Sequence, residues 1–280
     1  MKTSMNLLLW ATHVTEEHFP ILDKLKATGY DGVEVPIFEG EKPHFEKVRK
    51  ALDNAGLGCT AVTVATPDAN PISADAAVRS AAVDRLKWAI EMTHTMGGDV
   101  LCGPYHSPLA EFSGQGPTQD EKSRAADTLR QAAEFAKQAN VTLAIEYLNR
   151  FECYFLTTAA DAKALVNAVG HESFRTMYDT FHANIEEKTH GPAIKEMADV
   201  MAHVHISEND RGTPGSGHVA WEEVFRTLKE VNYDGWLTIE AFGRALPDLA
   251  AATKVWRDLF PNAEEVYTDG LAFMRRMWSS

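Results

Sequence analysis

Residues 143–148 read LAIEYL, a run of strand length that is apolar on both faces and carries one acid, Glu146, near its end. Such runs mark strands of a parallel sheet covered by helices on the outside. Three stretches downstream repeat the pattern: TMYDTFH (176–182) with Asp179, AHVHIS (202–207) with His205, and LTIEAF (237–242) with Glu240. The gaps are 33 (179 − 146), 26 (205 − 179) and 35 (240 − 205) residues, and 280 divided by eight is 35. That is the length of one strand-plus-helix unit of a parallel barrel. Four consecutive units would aim all four side chains at one end of the barrel. Three carboxylates and an imidazole brought to a point repel one another unless a divalent cation sits among them.

Working outward, strand-like runs fall at Asn6–Ala11, Gly32–Ile37, Gly58–Val64, Asp99–Gly103, Thr142–Leu148, Thr176–Thr180, Ala202–Ile206 and Trp236–Ala241, eight in all. The segments between them carry helix punctuation. Thr118 to Glu121 has capping-box spacing ahead of Ala125, Leu129, Ala132 and Ala136. Thr158 stands three residues before Asp161, and Gly170 is placed to end the helix that follows. Apolar stripes recur over Ala76–Thr95 and at Val224, Phe225, Leu228 and Val231. Eight alternations predict an α/β protein, a (β/α)8 TIM barrel, with residues 1–280 as a single domain and an extra C-terminal helix over Ala263–Met277. An open doubly wound sheet is disfavoured by the lack of GxGxxG after the first strand. The stretch SENDRGTPGSGHVAW (207–221), with three glycines and Pro214, reads as a βα loop of the kind that builds barrel active sites.

Composition narrows the function. Lys and Arg total 27 against 40 Asp and Glu, a net charge of −13, which argues against a nucleic-acid partner. Cys59, Cys102 and Cys153 have no CxxC spacing and read as buried, reduced thiols. The apolar run Leu7–Ala11 is too short for a signal peptide, and no stretch reaches the ~20 apolar residues of a membrane span. A cytoplasmic location without a membrane partner is expected.

An oxygen-rich donor set with one nitrogen suits Mn²⁺, Mg²⁺ or Co²⁺ better than a Cys-rich zinc site does. The stretches LAIEYLNRFE (143–152), YDTFHANIEE (178–187), HVHISENDRGTPGSGHVAW (203–221) and YDGWLTIEAF (233–242) together resemble the ketose 3-epimerases of the D-tagatose/D-allulose (psicose) type. These belong to the xylose-isomerase-like TIM barrels. The likeness is dense from Ala144 to Leu259 and weaker before it. It implies that Glu146, Asp179, His205 and Glu240 ligate one divalent ion per subunit, usually Mn²⁺ or Co²⁺ and sometimes Mg²⁺. It also implies that Glu146 and Glu240 are the catalytic pair, and that Glu152, His182 and Arg211 hold the O1–O3 end of a small sugar. The resemblance further implies a homodimer or homotetramer, the usual assembly of the family. The expected reaction is epimerisation at C3 of a free ketose through an enediolate. An aldose–ketose isomerase of the hydroxypyruvate or xylose type, or an inosose dehydratase, is the alternative on the same barrel. A zinc endonuclease fits the net charge poorly, and a non-catalytic sugar-binding barrel would need no acid/base pair.

Neighbouring residues receive narrower expectations. His182 should donate to a substrate oxygen, and Glu152 should orient the planar fork of Arg211. His203 is assigned to the helical layer, Glu34 to structural pairing, and His13, His94, His106, His190 and His218 to surface or capping positions. Trp10 and Phe242 suit either a wall against the sugar or core packing. After the fourth strand, CGPYHSPLAEF (102–112) lacks the tryptophan that covers the sugar in ketohexose epimerases, leaving Tyr105 and Phe112 as replacements and the ketose unspecified.

Overall fold

The computed structural model describes residues 1–280. Eight parallel strands close into a barrel in chain order: β1 (Lys2–Asn6), β2 (Gly32–Pro36), β3 (Gly58–Val62), β4 (Val100–Gly103), β5 (Thr142–Ile145), β6 (Phe174–Asp179), β7 (Met201–Ile206) and β8 (Trp236–Ile239), with β8 pairing β1. Around them run α1 (Phe19–Thr28), α2 (Lys42–Ala55), α3 (Ala76–Met96), α4 (Gln119–Ala139), α5 (Ala159–Val169), α6 (Thr180–Glu186), α7 (His190–Met197), α8 (Trp221–Glu230) and α9 (Pro247–Thr253). A final helix, α10 (Ala263–Ser279), follows α9. This is a (β/α)8 barrel with a C-terminal helix, as the alternation predicts.

The helix punctuation works as expected. Thr118 and Glu121 cap α4 reciprocally, the Thr158 hydroxyl accepts the Asp161 N–H at the start of α5, and Gly170 ends α5 in the left-handed region at φ 60°. The first strand, however, lies four residues earlier than the hydropathy of Asn6–Ala11 suggests. The Asn6 side chain accepts the Leu8 N–H at 2.9 Å and turns the chain into a short 3-10 segment at Leu7–Leu9. Three buried leucines there imitate a strand in hydropathy alone. The residue that breaks the run is an Asx-type turn former.

Outward-facing Val33, Val35, Leu101, Leu143, Ile145, Val204, Leu237 and Ile239 are buried against the helices. Each contributes about 1.5–3 kcal/mol on the usual scale for a buried aliphatic side chain. The N-terminal end of the barrel is plugged by the Trp236 indole. Gly32 leaves room for it, since a Cβ there would lie 2.6 Å from the Gly58 carbonyl and 2.7 Å from the indole. Above the plug the interior is polar: Ser4 and Thr238 hydroxyls share a hydrogen bond of 2.6 Å, and Thr238 reaches His203 at 3.3 Å. The three cysteines are buried and free. No helix is long and apolar enough to cross a membrane.

Candidate metal centre and active site

The C-terminal ends of β5 to β8 gather Glu146, Asp179, His205 and Glu240, and one ligand-type atom from each lies within 4.8 Å of the others. All four side chains are buried, at 0–6% exposure. Glu146 and Glu240 stand one residue past their strands but stay in the barrel ladder. The Glu146 N–H donates to the Gly103 carbonyl at 3.1 Å, and the Glu240 N–H to that of Ile206 at 3.2 Å. Asp179 ends β6 and also caps α6: its Oδ1 accepts the N–H groups of Phe181 and His182 at 2.6 and 3.1 Å. That cap fixes the carboxylate so that Oδ2 faces the cluster.

His205 supplies the most informative atom. Its Nε2 sits 2.8 Å from Glu34 Oε1, whereas its Nδ1 is buried without a hydrogen bond. That nitrogen faces Glu240 Oε1 at 3.4 Å, Asp179 Oδ2 at 3.5 Å and Glu146 Oε1 at 3.9 Å. Buried polar atoms left unpaired are costly, so an orphan aimed at three carboxylates marks the place of a missing partner. With metal–ligand bonds of ~2.1 Å, donors on one cation lie at most ~4.2 Å apart, so side-chain shifts of a few tenths of an ångström would close the set.

The charges point the same way. Burial, reinforced by Glu240, pushes the Glu146 carboxyl well above the ordinary carboxylate range. Burial opposes ionisation of Asp179 too, but Arg211, His182 and His205 hold it well below that range. His205 is driven well above its ordinary value, against its burial, by Glu34 and Glu240. The pocket therefore draws positive charge inward. Three carboxylates and the Arg211 guanidinium sum formally to −2, which one divalent cation neutralises.

Arg211 enters from the β7–α8 loop in the left-handed region, at φ 68°. Its Nη1 meets Glu240 Oε2 at 2.5 Å, Ser207 Oγ at 3.0 Å and Asp179 Oδ2 at 3.3 Å. The guanidinium is sandwiched by Phe181 and Phe242, whose ring centroids lie 3.8 and 4.9 Å away. A cavity of about 450 Å³ opens above it, lined by Asn149, Phe151, Glu152, Phe181, Arg211 and Trp256 among others. None of the four ligand-type residues lines that cavity, so Arg211 stands between it and the cluster.

His182 is buried behind Arg211 and is held neutral by that burial, its pKa lowered to about 3. Its Nδ1 receives the Asn149 backbone N–H at 3.0 Å, and its Nε2 lies 3.6 Å from Glu146 Oε1. The third expected sugar-holding residue, Glu152, is half-buried at the cavity wall. It makes no ion pair with Arg211, contrary to expectation. Its Oε1 instead accepts from Asn149 Nδ2 at 2.8 Å, so the short turn after β5 orients it.

Other expectations need correcting. His203 does not face the helices. Residues two apart on a strand share a face, and His203 points into the barrel beside His205, 2.8 Å from Glu34 Oε2. His106 and His190 are buried, not surface residues, and His190 pairs with the Tyr178 hydroxyl at 2.7 Å. Tyr105 turns its hydroxyl back to the Leu101 carbonyl at 3.3 Å, and Phe112 lines a separate cavity with Ser107 and Tyr154. Neither lines the Arg211 cavity, whose wall carries Trp256 from the far end of the chain instead. Phe242 stacks on Arg211, whereas Trp10 packs against Tyr267 at 6.1 Å. Asn6 joins the site without being evident in the sequence: its Nδ2 donates to Glu34 Oε1 at 3.0 Å and Glu240 Oε1 at 3.1 Å. A polar residue at the end of an apolar strand is the signal that would have flagged it.

The sequence model of the xylose isomerase-like TIM barrel family matches residues 22–277. D-psicose 3-epimerase of Agrobacterium fabrum is 31% identical over 285 residues, covering 98% of each chain. L-ribulose 3-epimerase of Mesorhizobium japonicum is 32% identical over 256 residues, covering 90% of this chain and 86% of that one. Among solved structures, an L-ribulose 3-epimerase superposes with a TM-score of 0.94 at 28% identity, covering 99% of this chain and 94% of that chain. A D-psicose 3-epimerase solved in the presence of D-fructose gives 0.92 at 30% identity, covering 100% of both. The chain is a carbohydrate epimerase and belongs to the ketose 3-epimerases of the xylose isomerase-like TIM barrel family.

Proposed function

We propose that this chain inverts C3 of a free ketohexose or ketopentose, with Glu146 and Glu240 as the acid/base pair. The observation that carries the proposal is the unpartnered His205 Nδ1 facing both glutamates and Asp179 inside one buried cluster. The relatives named for D-psicose and L-ribulose support both sugar lengths.

Glu146, Asp179, Glu240 and His205 Nδ1 would hold one divalent ion per subunit, Mn²⁺ foremost with Co²⁺ or Mg²⁺ as alternatives. Such an ion supplies Lewis-acid stabilisation of the negative charge that develops on adjacent sugar oxygens. The protein does the rest. One glutamate takes the C3 proton and the other returns a proton to the opposite face, and the roles exchange when the reaction reverses. Positioned acid/base groups of this kind contribute about 10²–10⁴-fold. His182 Nε2–H and the Arg211 fork bind the carbonyl end of the sugar, and Glu152 takes a hydroxyl at the wall. Burial of the cluster keeps bulk water from the carbanionic centre. The 280 residues act as one catalytic domain in a homodimer or homotetramer.

The test is solvent deuterium incorporation at C3 of fructose, tagatose and ribulose with added Mn²⁺, followed by NMR. A C3 epimer labelled at that carbon supports the proposal. An aldose product would establish an isomerase, loss of water a dehydratase, and no exchange with any ketose would reject the reaction.

A further inference from the structure

Below the four ligand-type residues the barrel interior centres on a carboxylate that the reaction does not touch. Glu34, on β2, has no exposed surface. Its Oε1 accepts from Asn6 Nδ2 at 3.0 Å and faces His205 Nε2 at 2.8 Å. Its Oε2 accepts from Thr60 Oγ1 at 2.9 Å and Cys102 Sγ at 3.1 Å, and faces His203 Nε2 at 2.8 Å. Donors thus converge from β1, β3, β4 and β7.

Glu34, Cys102, His203 and His205 are close enough to suggest a second cation. The distances argue otherwise. Two nitrogen–oxygen contacts of 2.8 Å are hydrogen-bond lengths. Donors sharing a cation at ~2.1 Å come no closer than about 3.0 Å at octahedral angles, and lie farther apart at wider ones. The lone pairs of Glu34 are also already taken.

We infer that Glu34 is a positioning residue for the metal centre: it holds His205 with Nε2–H turned down to its own carboxylate and Nδ1 turned up to the three acids. Through Asn6, which bridges Glu34 and Glu240, the same carboxylate sets the position of Glu240 Oε1. His203 clamps the second oxygen and stops Glu34 from rotating away. The inference rests on reading the cluster as a divalent-cation site. A carboxylate on the far nitrogen of a ligating histidine fixes its tautomer and ring orientation, and its loss typically weakens metal binding by about 10–100-fold.

Glu34→Gln keeps the shape but sets an amide NH₂ against donors on one side or the other. The metal-free full-length protein is titrated with Co²⁺, following the visible d–d bands. The dissociation constant should rise by about 10–100-fold in E34Q, with altered bands. Ser4→Ala, which removes a hydrogen bond in the same interior without touching His205, should bind Co²⁺ as the parent does. A folded E34Q with the parent's affinity and spectrum would overturn the inference. So would two Co²⁺ per parent chain and one per E34Q chain, which would make Glu34 a ligand of a second ion. Should E34Q fail to fold, the Co²⁺-loaded parent decides by proton NMR. A shifted, slowly exchanging N–H from His205 supports the anchor, and its absence rejects it. A parent chain that binds no Co²⁺ at all would defeat the metal reading itself, a failure distinct from the others.

Discussion

Arg211 Nη2 lies 3.0 Å from His182 Nε2, on a ring whose Nδ1 already receives the Asn149 backbone N–H at 3.0 Å. A neutral imidazole has one acceptor nitrogen, whereas a guanidinium and a backbone N–H are both obligate donors. The backbone N–H cannot turn away, so Nε2 must carry the proton, and Arg211 faces it donor against donor. An oxygen inserted between the two would accept from both. The contact is thus suited to the sugar-oxygen binding proposed for these two residues, next to the cavity that Arg211 closes.

His182→Ala removes one of those donors. The Michaelis constant for the preferred ketose should rise by about tenfold, the equivalent of one hydrogen bond near 1.4 kcal/mol. Co²⁺ affinity should stay within twofold, because no cluster ligand is lost. Steady-state kinetics alongside a Co²⁺ titration checks both. An unchanged Michaelis constant would place the sugar oxygen elsewhere.

Glu146→Gln and Glu240→Gln should each lower C3 deuterium exchange by about 10²–10⁴-fold, as expected when a positioned acid/base group is removed. Stripping the cation should also destabilise the fold. A ligand at a hundred times its dissociation constant adds about 2.7 kcal/mol. For a chain of this size that is worth about 5–10 °C in melting temperature. Scanning calorimetry with and without a chelator, then with Mn²⁺ restored, measures it. A melting temperature indifferent to chelator would argue against a bound ion.

The sequence makes the candidate ligand set legible because strand spacing is a one-dimensional signal. Glu146, Asp179, His205 and Glu240 each sit at or just past the end of a buried strand, and unit length alone brings them together. The start of the first strand is not legible, because Leu7–Leu9 has strand hydropathy while Asn6 dictates a turn through its side chain. The inward direction of His203 follows from the strand period of two, which puts it on the same face as His205. The Asn6–Glu34–His205 connection was not legible at all. It joins residues 28 and 171 positions apart, and nothing local in the sequence specifies such contacts. Glu152 shows the same limit: its sequence position suggests Arg211 as partner, and the turn after β5 gives it Asn149 instead.

Glu208 staples the loop that delivers Arg211. Its Oε1 accepts the N–H groups of Asn209 and Val219 at 3.0 and 3.1 Å, and its Oε2 accepts Gly215 N–H at 2.7 Å and Trp221 Nε1–H at 2.9 Å. All four partners can only donate. Glu208→Gln must set its NH₂ against two of them, at a cost of about 1–3 kcal/mol for buried groups left unsatisfied. Urea unfolding should show that loss. The ratio kcat/KM should fall as well, since Arg211 is carried on the same loop. A variant destabilised but kinetically normal would show that the staple serves the fold only.

His106 carries a pH dependence of stability. Its ring is buried beside Phe155, Nδ1 lies 2.8 Å from Ser107 Oγ, and Nε2 has no hydrogen bond. Burial, only partly opposed by the Glu146 backbone, lowers its pKa to about 3. The unfolded chain titrates near 6.5, so between that value and about 3 the unfolded state holds a proton that the folded state refuses. Stability contributed by neutral His106 is complete above pH 6.5 and is lost progressively as pH falls towards 3. From pH 6 to 5 the loss amounts to about 1 kcal/mol. His106→Gln cannot take up that proton, so its unfolding free energy should drop by about 1 kcal/mol less than the parent's over the same interval. Urea titrations of both proteins at the two pH values supply the comparison. Parallel pH dependences would show that the ring is protonated in the folded protein and that the orphaned Nε2 has found an acceptor.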